Sequence, residues 1–116
     1  MNLNDYTREV HAANQKWWKD PKTGDYLNRN VGEMLMLMVS ELAEAMEGHR
    51  KNLKDDKLPQ YEMLDVELVD CAIRIFDLVG ARGVDFERIY REKMAFNTVR
   101  PDHQIAARLA PGGKKY

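Results

Sequence analysis

The chain has 116 residues, 32% of them charged and 44% hydrophobic, with a formal net charge of -1. That length suits one domain burying roughly two-thirds of its unfolded surface, and the composition is ordinary for a soluble globular protein. The near-zero charge excludes the strong global field of a nucleic-acid or anionic-membrane binder, and a single cysteine, Cys71, excludes an intrachain disulfide framework.

Helical periodicity is abundant and strand signals are scarce. The pattern predicts a first helix from about Asp5 to Lys19, capped by Asn4 and stopped before Pro21. A turn-rich segment, Asp20 to Asp25, follows. Asn30-x-x-Glu33 has the form of a capping box and opens a second helix that ends near Gly48 or shortly after. Arg50 to Pro59 reads as an exposed loop, and a third helix covers about Gln60 to Val79, ended by Gly80 and Gly83. Asp85 caps a fourth helix running to about Val99, with Arg100-Pro101 as the stop. We therefore expect an all-α domain over residues 1–101, with a four-helix bundle-like core completed by oligomerisation. Residues 102–116 form a tail, expected to pack on or near the active site. The longest apolar run, Met34 to Val39, is far too short to span a bilayer. The opening MNLNDYTREV lacks the basic start and apolar stretch of a signal peptide. A cytoplasmic protein without nucleic-acid or membrane partners is expected.

Two carboxylate pairs sit where these helices should be apolar: Glu41-x-x-Glu44 in the second and Glu67-x-x-Asp70 in the third. At about 100° per residue, Glu41 falls within the stripe of Met34, Leu37, Met38 and Ala45, with Glu44 about 60° to one side. Leu35, Val39, Leu42 and Met46 cover another face, so this helix is apolar over most of its circumference and must be packed by neighbours or by another subunit. Glu67 is bracketed likewise by Met63, Leu64, Cys71 and Leu78. Packed antiparallel, the two helices bring four carboxylates together. Buried anions need a compensating cation or hydrogen-bond donors, and an all-oxygen ligand set shared by two such pairs favours a hard cation: Mg²⁺, with Mn²⁺ as a substitute. A di-iron centre would show Glu-x-x-His pairs, and none of the three histidines follows a glutamate at that spacing. Arg74 lies close to the Glu67 direction, so a structural ion-pair network competes with the metal.

Positive charge falls at Lys93, Asn97 and Arg100, on one face of the fourth helix at i, i+4 and i+7. That face suits phosphate oxygens, or it is an ordinary basic helix end. Lys51, beside His49 and Arg50 just past the first acidic pair, is a second-rank phosphate ligand or a solvated charge. His103, Lys114 and Lys115 rank below it. Trp17 and Trp18 point about 100° apart on a helix, so one faces the core and the other is free to stack on a base or to make an oligomer contact. The methionines Met34, Met38, Met46 and Met63 read as fillers of irregular core space.

At Glu41, Glu44, Glu67 and Asp70 the chain resembles the MazG-like, all-α nucleoside triphosphate pyrophosphohydrolases, whose signature is Glu-x-x-Glu, a spacer, and Glu-x-x-Asp. The spacer here is 22 residues. Lys93-x-x-x-Asn97-x-x-Arg100-Pro101 is similar to the family's downstream basic segment, and Gly112 to Tyr116 is similar to the ending of some small members. The resemblance implies hydrolysis of a (deoxy)nucleoside triphosphate to monophosphate and pyrophosphate, dependence on Mg²⁺, and a homodimer or homotetramer. Glu41 or Glu44 would then take the proton of the attacking water. Ser40 stands where many members carry a further glutamate, and the tail after Pro101 is longer than in similar members. Two other classes fit the same residues: a non-enzymatic helical oligomerisation protein with structural acid clusters, and a nucleotide-binding sensor without turnover.

Overall fold

The computed structural model describes all residues 1–116, which form an all-helical chain without a strand. The helices are α1 (Leu3–Ala13), α2 (Val31–Lys51), α3 (Met63–Arg82), α4 (Phe86–Val99) and α5 (Ile105–Leu109). No helix is long and apolar enough to cross a membrane. Local chemistry explains most of the boundaries. The Asn30 side chain accepts from the Glu33 amide at 2.9 Å and starts α2, and Asn52, in the left-handed region, ends it. Helix α3 runs through Gly80 and stops at Gly83, whose positive φ suits a residue without a side chain. Asp85 caps α4 by accepting from the Arg88 amide.

Besides the end of α3, which runs past the expected Val79 to Arg82, three boundaries differ from the expected ones. Helix α1 begins earlier, because Asn2 and Asp5 form a reciprocal capping box. Asn4 instead bonds the start of α4: its amide donates to Asp85 at 2.8 Å, and its Oδ1 accepts from the Glu87 amide at 3.0 Å. The same helix ends at Ala13, and Gln15–Trp17 form a 3-10 turn. There the Gln15 side chain takes the His11 carbonyl, and the Trp18 indole is drawn to Asp77 on α3. Helix α3 starts at Met63 because Asp55 folds the preceding loop. Its carboxylate accepts from the Lys57 and Leu58 amides at 3.1 and 2.8 Å, and Asp55 is itself buried.

Helices α2 and α3 pack antiparallel as the central pair. Gly48 lies against Met63 at one end, and Glu41 reaches Arg74 farther along. Helix α1 crosses α3 where a Cβ on Gly80 would stand 2.5 Å from the Thr7 carbonyl oxygen, so only glycine allows that approach. Helix α4 docks its first turn on α1 and stacks Phe86 edge-on to Phe76 of α3. The interior of this arrangement is small. Its buried apolar residues are Met34, Ala45, Cys71 and Leu78, fewer than the buried polar ones, Thr7, Glu41, Asp55, Glu67 and Asp77.

The surface is correspondingly large. The radius of gyration is 18.1 Å, against about 13 Å for a compact domain of this length. The accessible area is 9040 Å², while a folded monomer of 13.5 kDa exposes about 6,500 Å². The excess is about 2,500 Å², and many large apolar side chains stand exposed, several of them along α2. Leu35, Val39, Leu42 and Met46 form one exposed row along α2, the i, i+4, i+7, i+11 spacing of a helix–helix seam.

Candidate metal centre

The α2–α3 crossing brings the sequence-predicted acids together. Ligand oxygens of Glu41, Glu67 and Asp70 all lie within 4.8 Å of one another. Glu44, one turn along and exposed, borders the same cavity. Glu41 and Glu67 are each only 8% exposed. Desolvation, reinforced by the Glu41 and Glu44 carboxylates facing it and by the charge of Asp70, pushes the Glu67 carboxyl up to about 8. Its Oε2 is buried without any hydrogen-bond partner. Neighbouring carboxylates cannot donate to it unless one is protonated.

Arg74 is the only cation that reaches these acids. Its Nε donates to Glu41 Oε1 at 2.9 Å, so the expected ion-pair competitor is present. One guanidinium does not balance four carboxylates, and it leaves Glu67 unserved. The donor set is oxygen throughout, the chemistry that suits Mg²⁺ or Mn²⁺ better than a thiolate-loving or imidazole-loving ion. The orphaned Glu67 oxygen and the converging carboxylates therefore fit a hard divalent cation.

Two cavities flank the acids. One, of about 640 Å³, is lined by Asn14, Trp17, Arg29 and Arg74 as well as Glu41, Asp70 and Asp77. The other, of about 810 Å³, runs from the acids to the folded loop carrying Lys54 and Lys57. Trp17 is 60% exposed and offers its ring to the first cavity. Trp18 is committed to the fold: its Nε1–H donates to both Asp77 oxygens at 2.9 and 3.1 Å, its edge meets the His11 ring, and Arg29 lies over its face. His11 Nδ1–H donates to Asp77 at 2.8 Å, and Gln15 donates to the other ring nitrogen at 3.0 Å. These bonds fix one imidazole tautomer beside the cavity.

The predicted phosphate face of α4 does not reach the acids within one chain. Lys93 lies over the Phe96 ring, Arg100 pairs with Asp102, and Asn97 turns its Oδ1 inward without a partner. Lys51 is held by Glu47 one turn back and lines neither cavity. The groups that do border the cavities include three that sequence reasoning passed over: Asn14, Arg29 and Asp77. Asp77 was within reach, since Glu67, Asp70, Arg74 and Asp77 continue one polar stripe at i, i+3, i+7 and i+10. Arg29 carried no signal, because it precedes the second helix in a segment without periodicity. No protein-family model, curated protein or solved structure matches the chain.

Proposed function

We propose that the chain is a divalent-cation-dependent nucleoside triphosphate pyrophosphohydrolase of the MazG-like kind, with Mg²⁺ held by Glu41, Glu67 and Asp70 and with Glu44 at the rim. The observation that carries this reading is Glu67: a buried carboxylate, crowded by acids, with one oxygen that no group in the fold serves. Without metal, that burial and crowding keep Glu67 protonated up to a pH of about 8, and a divalent cation would let the clustered carboxylates ionise together.

A triphosphate is itself strongly anionic, so acids and substrate meet only with positive charge between them. When bound, Mg²⁺ supplies that charge, polarises the scissile phosphorus and makes an attacking water more acidic. Glu44, exposed and outside the tight trio, is free to take the proton of that water, with Glu41 as the alternative. Arg74 fixes Glu41 in place. The cavity beside Trp17 and Asn14 has the size for a nucleoside, with an aromatic face for stacking and an amide for hydrogen bonding. The cavity toward Lys57 leaves room for the phosphates.

Assembly belongs to the same proposal. The bare row on α2 and the excess surface call for a second copy, since obligate homodimer interfaces remove about 1,000–2,500 Å² per partner. A homodimer or homotetramer would complete the bundle-like core that one chain leaves open. The Arg74–Glu41 pair favours one other reading, a non-catalytic helical oligomer whose acids are structural. A coupled pyrophosphate assay across the common (d)NTPs, with and without Mg²⁺, separates the two. Mg²⁺-dependent pyrophosphate release is the expected result; its absence for every nucleotide would leave the oligomer or a sensor without turnover, which nucleotide-induced shifts in melting temperature tell apart.

The Glu67 carboxyl also sets a pH dependence. Without metal, the folded state keeps a proton on Glu67 that the unfolded chain, at its ordinary 4.5, has released. Metal-free stability should therefore fall as pH rises from 4.5 to about 8. A bound cation takes the place of that proton, so the gain in Tm produced by Mg²⁺ should grow as pH rises through the same window. Melting curves with Mg²⁺ and with EDTA check both slopes.

A further inference from the structure

The C-terminal segment is built with more care than a loose tail needs. Gln104 donates from its side-chain amide to the Thr98 and Arg100 carbonyls, fastening α5 to the end of α4. After α5 the chain turns back at Gly112, with φ of +74°, and the Gly113 amide donates to the Ala110 carbonyl at 2.9 Å. A Cβ on Gly113 would stand 2.3 Å from the Ala107 carbonyl oxygen and 2.7 Å from that of Arg108, so no other residue fits this return. Its effect is to set Lys114 and Lys115 beside Arg108, whose guanidinium donates to the Lys115 carbonyl at 2.6 Å.

These three cations line a cavity of about 510 Å³ with only Ile105 and Leu109 for company and no carboxylate in its wall. The nearby acid Asp102 is shared by Arg100 and by Lys114, whose Nζ lies 4.0 Å from Asp102 and 3.5 Å from His103 Nε2. Desolvation opposes its ionisation, but Arg100, with His103 and Lys114 behind it, outweighs that and holds the carboxyl below its usual range. Two cations share that one carboxylate, and Arg108 and Lys115, which pair with no acid, keep the cavity positive. Helix dipole stabilisation does not explain the arrangement, because α5 has five residues and almost no macrodipole. An arginine fork and two ammonium groups around one cavity suit a small anion with several phosphates. A long polyanion would need a basic stripe, and the chain as a whole carries a net charge of -1.

We propose that this C-terminal hook binds a polyphosphate, and that the hook of one copy grips the phosphate chain of the nucleotide held at the acids of a second copy. The identity of the anion rests on the hydrolase reading above. The trans arrangement follows from placement: the hook is fastened to the far end of α4 and lines neither cavity beside its own acids.

Titration of the metal-free full chain with inorganic tripolyphosphate reads the hook without turnover, because the acids repel that anion when no cation is present. Lys114→Ala with Lys115→Ala should weaken binding at least about tenfold. Gly113→Ala, which keeps every charge but cannot make the return, should weaken it comparably. Unchanged affinity in either variant overturns the proposal. In the pyrophosphate assay the lysine pair should raise KM with little change in kcat. Re-associating that variant with the hook-intact, acid-disabled Glu67→Gln chain should give activity well above the sum of the parents at low substrate. Activity equal to the sum overturns the trans arrangement. If the wild type binds tripolyphosphate yet cleaves no nucleotide, the hydrolase reading fails while the hook stands.

Discussion

Glu67→Gln and Asp70→Asn should each lower kcat/KM for nucleotide hydrolysis at least about 10³-fold, roughly 4 kcal/mol of transition-state stabilisation. Both remove a formal charge from the group of oxygens that converge at the α2–α3 crossing, and an amide is a far poorer ligand for a hard cation than a carboxylate. The two variants should differ in their effect on stability. Glu67 is buried, crowded by Glu41, Glu44 and Asp70, and has an oxygen with no partner. Exchanging it for a neutral amide that can donate to those carboxylates should raise the metal-free Tm at neutral pH. A protein that becomes more stable as it loses activity is the expected outcome of a functional strain at this position. Circular dichroism melts and the pyrophosphate assay on the same preparations check both halves. Wild-type turnover in Glu67→Gln would remove it from the catalytic centre.

The second large effect concerns assembly. Val39→Asp combined with Leu42→Asp places two charges on the bare row of α2, about half a heptad apart on the seam. Each Val or Leu side chain fully buried at the seam is worth about 1.5–3 kcal/mol, and a two-fold axis doubles the count at the interface. The variant should elute as a monomer by light scattering and melt at least about 10 °C lower. The wild type should show a Tm that rises with protein concentration, as expected when folding and association are coupled. A wild type that is monomeric and melts independently of concentration would refute this account of the α2 face. The same substitutions lie on the exposed face of α2, whereas Glu41 is buried on another, so residual activity in the monomer would measure how far the site depends on a second copy.

The acid pairs could be read in the sequence because a carboxylate inside an apolar helical stripe conflicts with its surroundings, and that conflict survives without knowledge of the fold. The caps at Asn30 and Asp85 could be read for a similar reason: each acts within one turn of its own helix. What escaped depends on contacts between distant parts of the chain. The first helix ends at Ala13 because Asp77, on α3, claims Trp18 and His11, and no local pattern near residue 13 announces it. For the same reason the tryptophan pair divides into a structural Trp18 and an open Trp17. Arg74 stood between two roles in the sequence, and its bond to Glu41 with Glu67 left bare is a matter of side-chain geometry alone. The basic face of α4 was a local pattern without a location: Arg100 falls in extended backbone just past Val99, and periodicity says nothing about what a face meets. The hook needed Gly113, whose importance lies in the absence of a Cβ.

The most direct measurement is a crystal soaked in MnCl₂, with diffraction recorded at the manganese absorption edge. The account predicts an anomalous peak enclosed by the Glu41, Glu67 and Asp70 carboxylates, with the Glu67 oxygen that now lacks a partner among its ligands. No peak there, with Arg74 or a proton balancing the acids at saturating Mn²⁺, would contradict it.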